Sequence, residues 1–282
     1  MGENTRRFFR TLFGRKLVVI SAVIILFFLL CAVASPLLAT HDPNQQNLSE
    51  ALQGISSKHW LGTDQYGRDL YSRIVYGSRI AFLIGILSVI MSGFIGTIVG
   101  LVSGYFGKWV DDVLMRVMEA VMAIPALILA LALVAILGRS MSMLIVVLGI
   151  SNIPPFARMM RGQVLVVRDL DYVSASRIRG NKSIVTMIKH ILPNCLSPMI
   201  VIMTQSIGST ILAEAALSFL GAGIEPPTAS WGSMVNDGYR YLTSNPLLAL
   251  APGVAIILLV LAFNIFGDGL RDALDPRLRD AM

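Results

Sequence analysis

The sequence predicts an all-α membrane protein that crosses the bilayer six times. Of its 282 residues, 55% are hydrophobic and 14% are charged, and the mean hydropathy is +0.71. Soluble domains carry about 25% charged residues, so much of this surface must face lipid. Six stretches are apolar enough and reach the roughly 20 residues that a helix needs to span a bilayer. They lie at 17–39, 80–103, 113–137, 142–160, 196–219 and 249–267.

The distribution of Lys and Arg predicts that both chain termini are cytoplasmic. With the amino terminus inside, the inner segments hold sixteen of the 23 Lys and Arg residues and the outer segments hold six. Such an excess of positive charge marks the cytoplasmic loops of membrane proteins. The net charge of +6 therefore reflects topology rather than nucleic-acid binding. The inner segments are 1–16, 104–112, 158–195 and 269–282, and the outer segments are 40–79, 138–141 and 220–248.

These spans divide the chain into five parts. The first apolar run is about 23 residues long and no small-x-small cleavage site follows it, so we expect a retained span rather than a cleaved signal peptide. The basic segment before it carries Phe8, Phe9 and Phe13, which predict a short amphipathic helix on the inner leaflet. The parts are a cytoplasmic segment 1–16, a first transmembrane helix 17–39, an external loop 40–79, a core of five transmembrane helices 80–267 with a cytoplasmic loop 161–195, and a cytoplasmic tail 268–282.

Two spans carry residues that predict close packing or bending. In the second span, Gly96, Gly100 and Gly104 recur at intervals of four on one helix face. Small residues at this spacing let two helices approach closely in lipid. In the third span, Pro125 predicts a kink, since it removes a backbone hydrogen bond.

Charged residues near the ends of two spans leave alternatives open. Arg116 and Glu119 are three residues apart and share a helix face, so they predict an ion pair at the membrane interface. A role in a polar pathway is the alternative. Glu214 lies near the outer end of the fifth span. An intramembrane carboxylate is a hypothesis of function, unless its depth places it among the lipid headgroups.

The external loop 40–79 contains the run HWLGTDQYGRDLYSRIVYGSR, in which charges of both signs alternate between glycines. Two interpretations remain open: a loop cap whose charges satisfy one another, or a surface that contacts an external delivery protein. The second external loop contains Trp231, which we expect to anchor it at the membrane interface. The candidate residues for a surface facing the delivery protein are Gly62, Asp64, Gly67, Arg68, Asp69 and Arg73.

The segment 171–193 is polar and basic although it lies between apolar spans. It predicts a helix-turn-helix on the cytoplasmic side. Asp169 or Asp171 can cap a first helix that begins at Tyr172. Gly180 suits a left-handed turn at the end of that helix.

A second helix can follow, capped by Ser183 and ended by Pro193. Its apolar residues fall on one stripe, and small residues on the first helix leave room for the side chains of another protein. The segment therefore predicts a docking knob, and an ordinary amphipathic helix on the inner leaflet is the alternative. The stripe is Ile184, Met187, Ile188 and Ile191, and the small residues are Ser174, Ala175 and Ser176.

The sequence contains no motif for catalysis or for a bound cofactor. It lacks GxxxxGK[ST], HExxH, a Cys/His cluster and a nucleophile elbow, so we expect no catalytic residue and no enzyme activity. None of the three histidines, His41, His59 and His190, lies in a predicted span, and we expect no metal site. Cys31 and Cys195 lie near opposite membrane faces and predict no disulfide.

The knob resembles the cytoplasmic coupling loop, or EAA loop, of binding-protein-dependent ABC importer permeases. In that family the pattern runs Glu-Ala-Ala, three residues, Gly, and a spacer to Ile-x-Leu-Pro. This chain has SAS at 174–176, Gly180 and HILP at 190–193, so serines replace the acidic residue and the last alanine. The runs WLGTDQYGRDLYSRIVYGSR, LSFLGAGIEPPTASWGSM and FNIFGDGLRDALDPR resemble hallmarks of the peptide/nickel group. They are most similar to the C-type permease of dipeptide and oligopeptide importers.

The resemblance implies a type I ABC importer permease fold in the bacterial cytoplasmic (inner) membrane. It implies a heterodimer with a homologous permease, two cytoplasmic ATPases that bind ATP and Mg²⁺, and an external solute-binding protein, with no cofactor in this chain. The solute would be a di- or oligopeptide, with nickel, opines or glutathione as alternatives. The implied contacts with the ATPases are Asp171, Tyr172, Ser174, Ala175, Ser176, Arg177, Gly180, Ile188, Leu192 and Pro193.

A stand-alone secondary transporter is the alternative from another class of protein. It would need ionisable residues near the bilayer midplane, and the central turns of these spans have almost none. The sequence also shows no internal repeat of the kind on which many secondary transporters are built.

Overall fold

The computed structural model describes residues 3–274, so residues 275–282 of the predicted cytoplasmic tail lie outside the described part. The described chain is helical throughout and contains no β-strand, which confirms the all-α prediction. The helices are α1 (Glu3–Leu12), α2 (Lys16–Val33), α3 (Ser35–Leu38), α4 (Leu70–Phe106), α5 (Lys108–Met122), α6 (Ala126–Leu137), α7 (Met141–Val167), α8 (Asp171–Ile178), α9 (Ser183–Thr186), α10 (Leu192–Phe219), α11 (Trp231–Tyr239) and α12 (Leu247–Leu274), with a 3₁₀ turn at Leu48–Glu50 and a π-helical turn at Met187–Ile191.

Six candidate spans correspond to the six predicted stretches. Within the described residues, α2, α4, α7, the continuous helix Ser183–Phe219 and α12 are long and apolar enough to cross a membrane. The pair α5 and α6 passes the same test as one bent span. α4 begins at Leu70 rather than at residue 80. The reason is that Asp69 caps it, accepting a hydrogen bond of 2.8 Å from the Ser72 amide.

The third span bends at Pro125 by much more than a proline kink. The axes of α5 and α6 differ by 88°, and Pro125 has an extended backbone with ψ of 128°. A proline also disfavours a helical conformation in the residue before it, so the helix stops and a new one starts. The prediction of a kink was right in position, and the chain turns there by about a right angle.

The glycine face of α4 is its contact with α7, as the spacing predicted. A Cβ on Gly96 would lie 2.5 Å from the Cβ of Phe156, and one on Gly104 would lie 2.8 Å from the Cβ of Val164. These distances are below any real Cβ contact, so only glycine fits. The α4–α7 pair is therefore closely packed, and Phe156 and Val164 are buried within it.

The two ends of the described chain meet on one side of the bundle. Leu12 and Val18 pack against Ala273 at the end of α12. Arg15 binds Asp272 at 2.6 Å in an ion pair close by. The amino-terminal helix thus packs on the protein, in addition to the membrane position expected from its aromatic residues.

Trp231 is buried, and the prediction of an interfacial anchor was wrong. Its indole N–H donates a hydrogen bond of 2.9 Å to the Ile74 carbonyl of α4. The ring packs on Phe28 with 5.4 Å between centroids, and a Cβ at Gly77 would lie 2.5 Å from it. The segment 220–248 therefore folds back against the bundle through α11.

Candidate functional site

The knob, residues 171–193, is built from a short helix, a glycine turn and the start of a long helix. α8 begins at Asp171, and its N-cap residue Leu170 makes no side-chain hydrogen bond. Neither Asp169 nor Asp171 therefore caps the helix as predicted. The Asp171 carboxylate lies in the first turn, where the helix dipole favours negative charge. Gly180 has a φ of +77° and makes the predicted left-handed turn.

The second helix of the knob does not end at Pro193, which corrects the prediction. Ser183 lies inside α9 rather than capping it. The turn Met187–Ile191 is π-helical, and the Leu192 amide bonds to the carbonyl five residues back. A proline has no N–H and crowds the carbonyl four residues back. The π-turn shifts the hydrogen bonding just before Pro193, so the helix continues into α10.

Most of the predicted partner contacts in the knob are exposed, and Ser176 is the exception. Its buried hydroxyl lies 3.2 Å from the Thr186 hydroxyl and accepts a hydrogen bond of 3.0 Å from Asn181. Ser176 therefore fastens α8 to α9 and offers no surface, while Leu192 is half-buried. The exposed members are Asp171, Tyr172, Ser174, Ala175, Arg177, Gly180, Ile188 and Pro193.

The inner side of the knob is anchored to the bundle. Val173 and Ile191 are fully buried and pack in one cluster with Val164 of α7. The Arg177 guanidinium lies 5.0 Å from the ring centre of Tyr105 at the end of α4, a cation–π contact. The knob is therefore in contact with both α4 and α7.

An apolar surface lies on the outer side of the knob, and the sequence analysis identified only part of it. The predicted stripe is split, with Met187 and Ile191 buried and Ile184 and Ile188 exposed. Ile178, which the pattern did not single out, is 87% exposed. Exposed apolar side chains on such a projecting segment suit a contact with protein or lipid.

An ion pair joins three helices, α4, α5 and α7, at the end of the bundle that carries the knob. Arg161 of α7 makes two hydrogen bonds, 2.5 and 2.6 Å long, to the carboxylate of Asp111 in α5. The Ser103 hydroxyl of α4 donates to the same carboxylate at 2.5 Å. Arg168 adds a hydrogen bond of 2.6 Å to the Gly104 carbonyl. No local sequence pattern reveals this pair, since its members are fifty residues apart.

Arg116 and Glu119 do pair, as predicted, at 3.4 Å and in an exposed position. Together with Asp112 and Arg158 they line a polar cleft of about 260 Å³ between α5 and α7. The cleft carries charges of both signs. The ion pair agrees with the first interpretation, and the charged cleft leaves the alternative of a polar pathway open.

The charges of the external loop 40–79, the outer loop, are buried and satisfy one another. Arg68 binds Asp64 at 2.6 Å and lies 3.7 Å from Asp237 of α11. Arg73 lies 3.7 Å from Asp64 and donates to two main-chain carbonyls at 2.9 and 3.3 Å. With Asp69, these predicted residues are at most 5% exposed. Their side chains therefore do not face a delivery protein in this chain, and the loop-cap interpretation describes them.

The two glycines of the same prediction shape the outer loop rather than face a partner. Gly62 and Gly67 have φ of +85° and +71°. A Cβ at Gly67 would lie 1.8 Å from the Asn47 carbonyl oxygen, and one at Gly62 would lie 2.4 Å from the Gln53 carbonyl oxygen. At both positions the backbone is left-handed and lies directly against another segment of the outer loop, so only glycine fits.

The outward surface of the outer loop consists of residues that the sequence analysis did not single out. Leu48, Ile55, Trp60 and Tyr66 are all exposed there. Aromatic residues of this kind are enriched at protein–protein interfaces. The buried charges therefore stabilise the fold of the outer loop, and these four apolar and aromatic side chains form part of its exposed surface.

Asp69 joins the outer loop to α4. Its Oδ2 accepts the Ser72 amide at 2.8 Å and its Oδ1 lies 2.8 Å from His59 Nδ1. Burial by itself raises the pKa of Asp69, but the hydrogen bonds from Ser72 and His59 outweigh it, and the pKa lies below its usual value. Asp69 therefore remains a carboxylate at neutral pH.

Glu214 is buried inside the bundle. The Ser218 hydroxyl donates a hydrogen bond of 2.6 Å to its Oε1. A buried polar group of this kind is stable only when it is hydrogen-bonded. A packed polar pair therefore describes its surroundings, and the two interpretations of its depth in the membrane stay predictions.

A six-span helical bundle with a projecting, internally anchored knob is the architecture of an inner-membrane transport component. The chain belongs to the family described as "Binding-protein-dependent transport system inner membrane component", which matches residues 96–280. The "N-terminal TM domain of oligopeptide transport permease C" matches residues 4–54. These matches confirm the resemblance to C-type permeases.

Curated relatives match nearly the whole chain. It is 41% identical over 274 residues to the dipeptide transport system permease protein DppC of Alkalihalophilus pseudofirmus, covering 97% of this chain and 90% of that protein. It is 40% identical over 275 residues to the glutathione transport system permease protein GsiD of Pectobacterium atrosepticum, covering 97% and 91%. It is 44% identical over 264 residues to the probable D,D-dipeptide transport system permease protein DdpC of Escherichia coli, covering 94% and 89%.

A solved structure shares the fold. The chain matches a structure of the MetNI methionine ABC transporter in an inward-facing conformation with a TM-score of 0.55 and 21% identity. The match covers 73% of this chain and 98% of that one. The fold is thus that of a type I ABC importer permease. Family membership makes the chain a multi-pass permease subunit of an ABC importer in the inner membrane, and it implies ATPase and binding-protein partners.

Proposed function

We propose that the chain is one permease of a di- or oligopeptide importer and that it forms the translocation pathway with a homologous permease. Two relatives named for dipeptide transport are 41% and 44% identical to it. The match of its amino-terminal part to an oligopeptide permease domain points to the same solutes. Glutathione, which is itself a tripeptide, is the second candidate, because a glutathione permease is 40% identical.

The proposed mechanism rests on the structure of the knob. Its outer side presents exposed small and apolar residues, such as Ala175 and Ile178, while its inner side is packed into α4 and α7. ATP and Mg²⁺ are bound by the two ATPases. When the ATPases close on ATP, each grips one permease's knob. The anchored side then transmits that movement to the bundle, which opens outward for solute.

The second permease covers α5 in this proposal. No residue of α5 is buried in this chain alone, although the helix belongs to a candidate span. Trp109 and Val113 on α5 and Ile136 on α6 are exposed large apolar residues. A homologous partner that packs there would bury this surface and place the polar cleft beside the subunit boundary.

We further propose a membrane orientation in which the knob and both chain termini lie in the cytoplasm. The Lys and Arg distribution supports it, and so does the ion pair between Arg15 and Asp272, since it puts both ends of the described chain on one side. Single cysteines at Lys182 and Lys58, with Cys31 and Cys195 replaced by serine, test it. A membrane-impermeant maleimide should label the cysteine at 58 in intact cells and the one at 182 only after the membrane is opened; the reverse pattern would exclude this orientation.

A bulky residue on the knob tests the coupling role. Ala175→Trp adds volume at an exposed position and breaks no internal contact, whereas Ser57→Trp makes the same kind of change at an exposed position in the outer loop. We expect the ATPases to co-purify with the Ser57 variant and to be lost or uncoupled in the Ala175 variant, with peptide uptake reduced about tenfold or more. Wild-type uptake by Ala175→Trp would refute the coupling role.

The solute is tested separately in proteoliposomes that contain all subunits and the binding protein. Uptake of a labelled dipeptide, a labelled tetrapeptide, labelled glutathione and Ni²⁺ is measured with and without ATP. ATP-dependent uptake of the peptides supports the proposal. Uptake of glutathione or of Ni²⁺ alone would contradict it, and uptake without the ATPases would favour a stand-alone transporter.

A further inference from the structure

We infer that the outer loop binds a divalent metal ion of the zinc class through His41, His59 and Asp69. One ligand atom from each of these residues lies within 4.8 Å of the other two. The three come from different parts of the loop and meet where it enters α4. The sequence led us to expect no metal site, because no histidine lies in a span. The fold nevertheless brings two of the three histidines of the chain together.

Two of the three distances between the ligand atoms lie near the value expected around a tetrahedral ion. Asp69 Oδ1 lies 2.8 Å from His59 Nδ1 and 3.8 Å from His41 Nδ1. Two ligand atoms that are each about 2.1 Å from a tetrahedral zinc ion are about 3.4 Å apart. The two distances lie on either side of this value, so movements of about 0.5 Å bring both into range. The two imidazole rings lie side by side, with centroids 4.7 Å apart and planes tilted by 32°.

A second, independent observation is the other nitrogen of His59. The ring is buried, and its Nε2 has no hydrogen-bond partner. The Glu50 carboxylate lies 3.5 Å from this nitrogen, and its other oxygen is bound by Lys58. A histidine that ligates a metal through Nδ1 carries its proton on Nε2, and it almost always donates that proton to a carboxylate, carbonyl or water. Metal binding at Nδ1 thus gives Nε2 a proton to donate toward Glu50.

A metal ion would replace one hydrogen bond between the ligand atoms. Ser72 holds Oδ2 of Asp69 through its amide, while Oδ1 is hydrogen-bonded to His59 Nδ1 at 2.8 Å, and an ion between these two atoms would take the place of that bond. The Thr40 hydroxyl lies 3.0 Å from His41 Nδ1 and 3.3 Å from Asp69 Oδ2, and it can keep the second contact when His41 turns to the ion. The side chain of His41 is 30% exposed, which gives the ion a path from solvent, and water can fill the fourth position.

Such a site would join the beginning, the middle and the end of the outer loop. Imidazole nitrogens with one carboxylate oxygen suit zinc and its neighbours among the transition metals, whereas Ca²⁺ and Mg²⁺ prefer oxygen alone. The site lies on the outer side in the proposed orientation, away from the knob. It therefore acts as a structural cross-link of the loop and takes no part in coupling to the ATPases.

Metal binding is tested on the full-length chain without a histidine tag, after stripping with a chelator. The chain is titrated with Zn²⁺ and, as a spectroscopic probe, with Co²⁺, and bound metal is counted by elemental analysis. We expect one ion per chain, tetrahedral Co²⁺ absorption, and a higher unfolding temperature with Zn²⁺. His41→Ala should weaken binding about tenfold or more.

His190→Ala is the matched control, because this third histidine lies at the knob and should leave binding unchanged. Retention of wild-type affinity by His41→Ala, or no bound ion in the wild-type chain, would overturn the inference. A His59 ring held by Asp69 and Glu50 alone, without metal, would show as an unfolding temperature that Zn²⁺ does not change, and it would overturn the inference equally. None of these failures would affect the proposed transport function.

Discussion

Replacing Gly100 with alanine should force α4 and α7 apart. The new Cβ would lie 2.3 Å from the Ala157 carbonyl oxygen, 2.7 Å from the Met160 Cβ and 2.8 Å from the Arg161 amide nitrogen. Two of these atoms are backbone and the third is attached directly to it, so no flexible side chain can yield. Overpacking costs about 1–3 kcal/mol, and we expect about 3 kcal/mol here. Alanine's better helix propensity returns about 1 kcal/mol, which leaves a net loss of about 2 kcal/mol.

Gly162 on α7 offers the matched control, since a Cβ there meets nothing within 4 Å. Gly162→Ala should be neutral or up to about 1 kcal/mol more stable. Unfolding of the purified chain in one detergent can be followed with a thiol-reactive dye, because Cys195 is buried in the folded state. We expect the midpoint of Gly100→Ala to fall by about 4–8 °C. An unchanged midpoint, or equal changes in both variants, would refute the reasoning about this helix contact.

Three further predictions concern the outer loop and the helix ends. Gly67→Ala should loosen the outer loop, because its Cβ would lie 1.8 Å from a main-chain oxygen, whereas Gly54→Ala meets nothing within 4 Å; limited proteolysis should cut only the first variant faster. Trp231→Phe should cost about 1 kcal/mol, since it removes the 2.9 Å hydrogen bond to α4, and an unchanged melting midpoint would contradict this. Asp111→Asn and Arg161→Gln should each cost about 1.5–3 kcal/mol and the double variant little more than either; additive costs in a double-mutant cycle would show that the two side chains act independently.

The sequence was sufficient for the spans and for one helix contact. Apolar length alone identifies a span, because the bilayer has a fixed thickness. The glycines at 96, 100 and 104 predicted a close contact because their spacing places them on one face whatever the partner is. The sequence did not predict that α7 is the partner of this face. The spacing of glycines indicates that a helix packs there but not which helix it is.

The outer loop shows why the direction of a side chain was not predictable. Asp64, Arg68, Asp69 and Arg73 read as a charged surface, yet all four are buried. A loop has no periodicity that distinguishes its inner face from its outer face, so alternating charges fit either interpretation. The proposed metal site was not predictable either, because His41 and His59 are eighteen residues apart and no loop periodicity brings them together.

The knob was predicted in outline and missed in detail for a different reason. Its small residues and the turn at Gly180 follow from local chemistry. The burial of Ser176 and of half the apolar stripe depends on how the two helices pack, which their local sequence does not show. Pro193 is treated by sequence rules as a helix end, yet the helix continues past it into α10 after a π-turn.

The π-turn at Met187–Ile191 holds one residue more than a regular helical turn, since the Leu192 amide bonds to the Met187 carbonyl five residues back. In a regular α-helix the same hydrogen bond closes over four residues, each of which advances the winding by about 100°. The wide turn takes up the extra residue within itself, so the helical segments before and after it keep nearly the same phase. The chain can thus pass a proline and enter α10 without changing the direction in which Ile184 points.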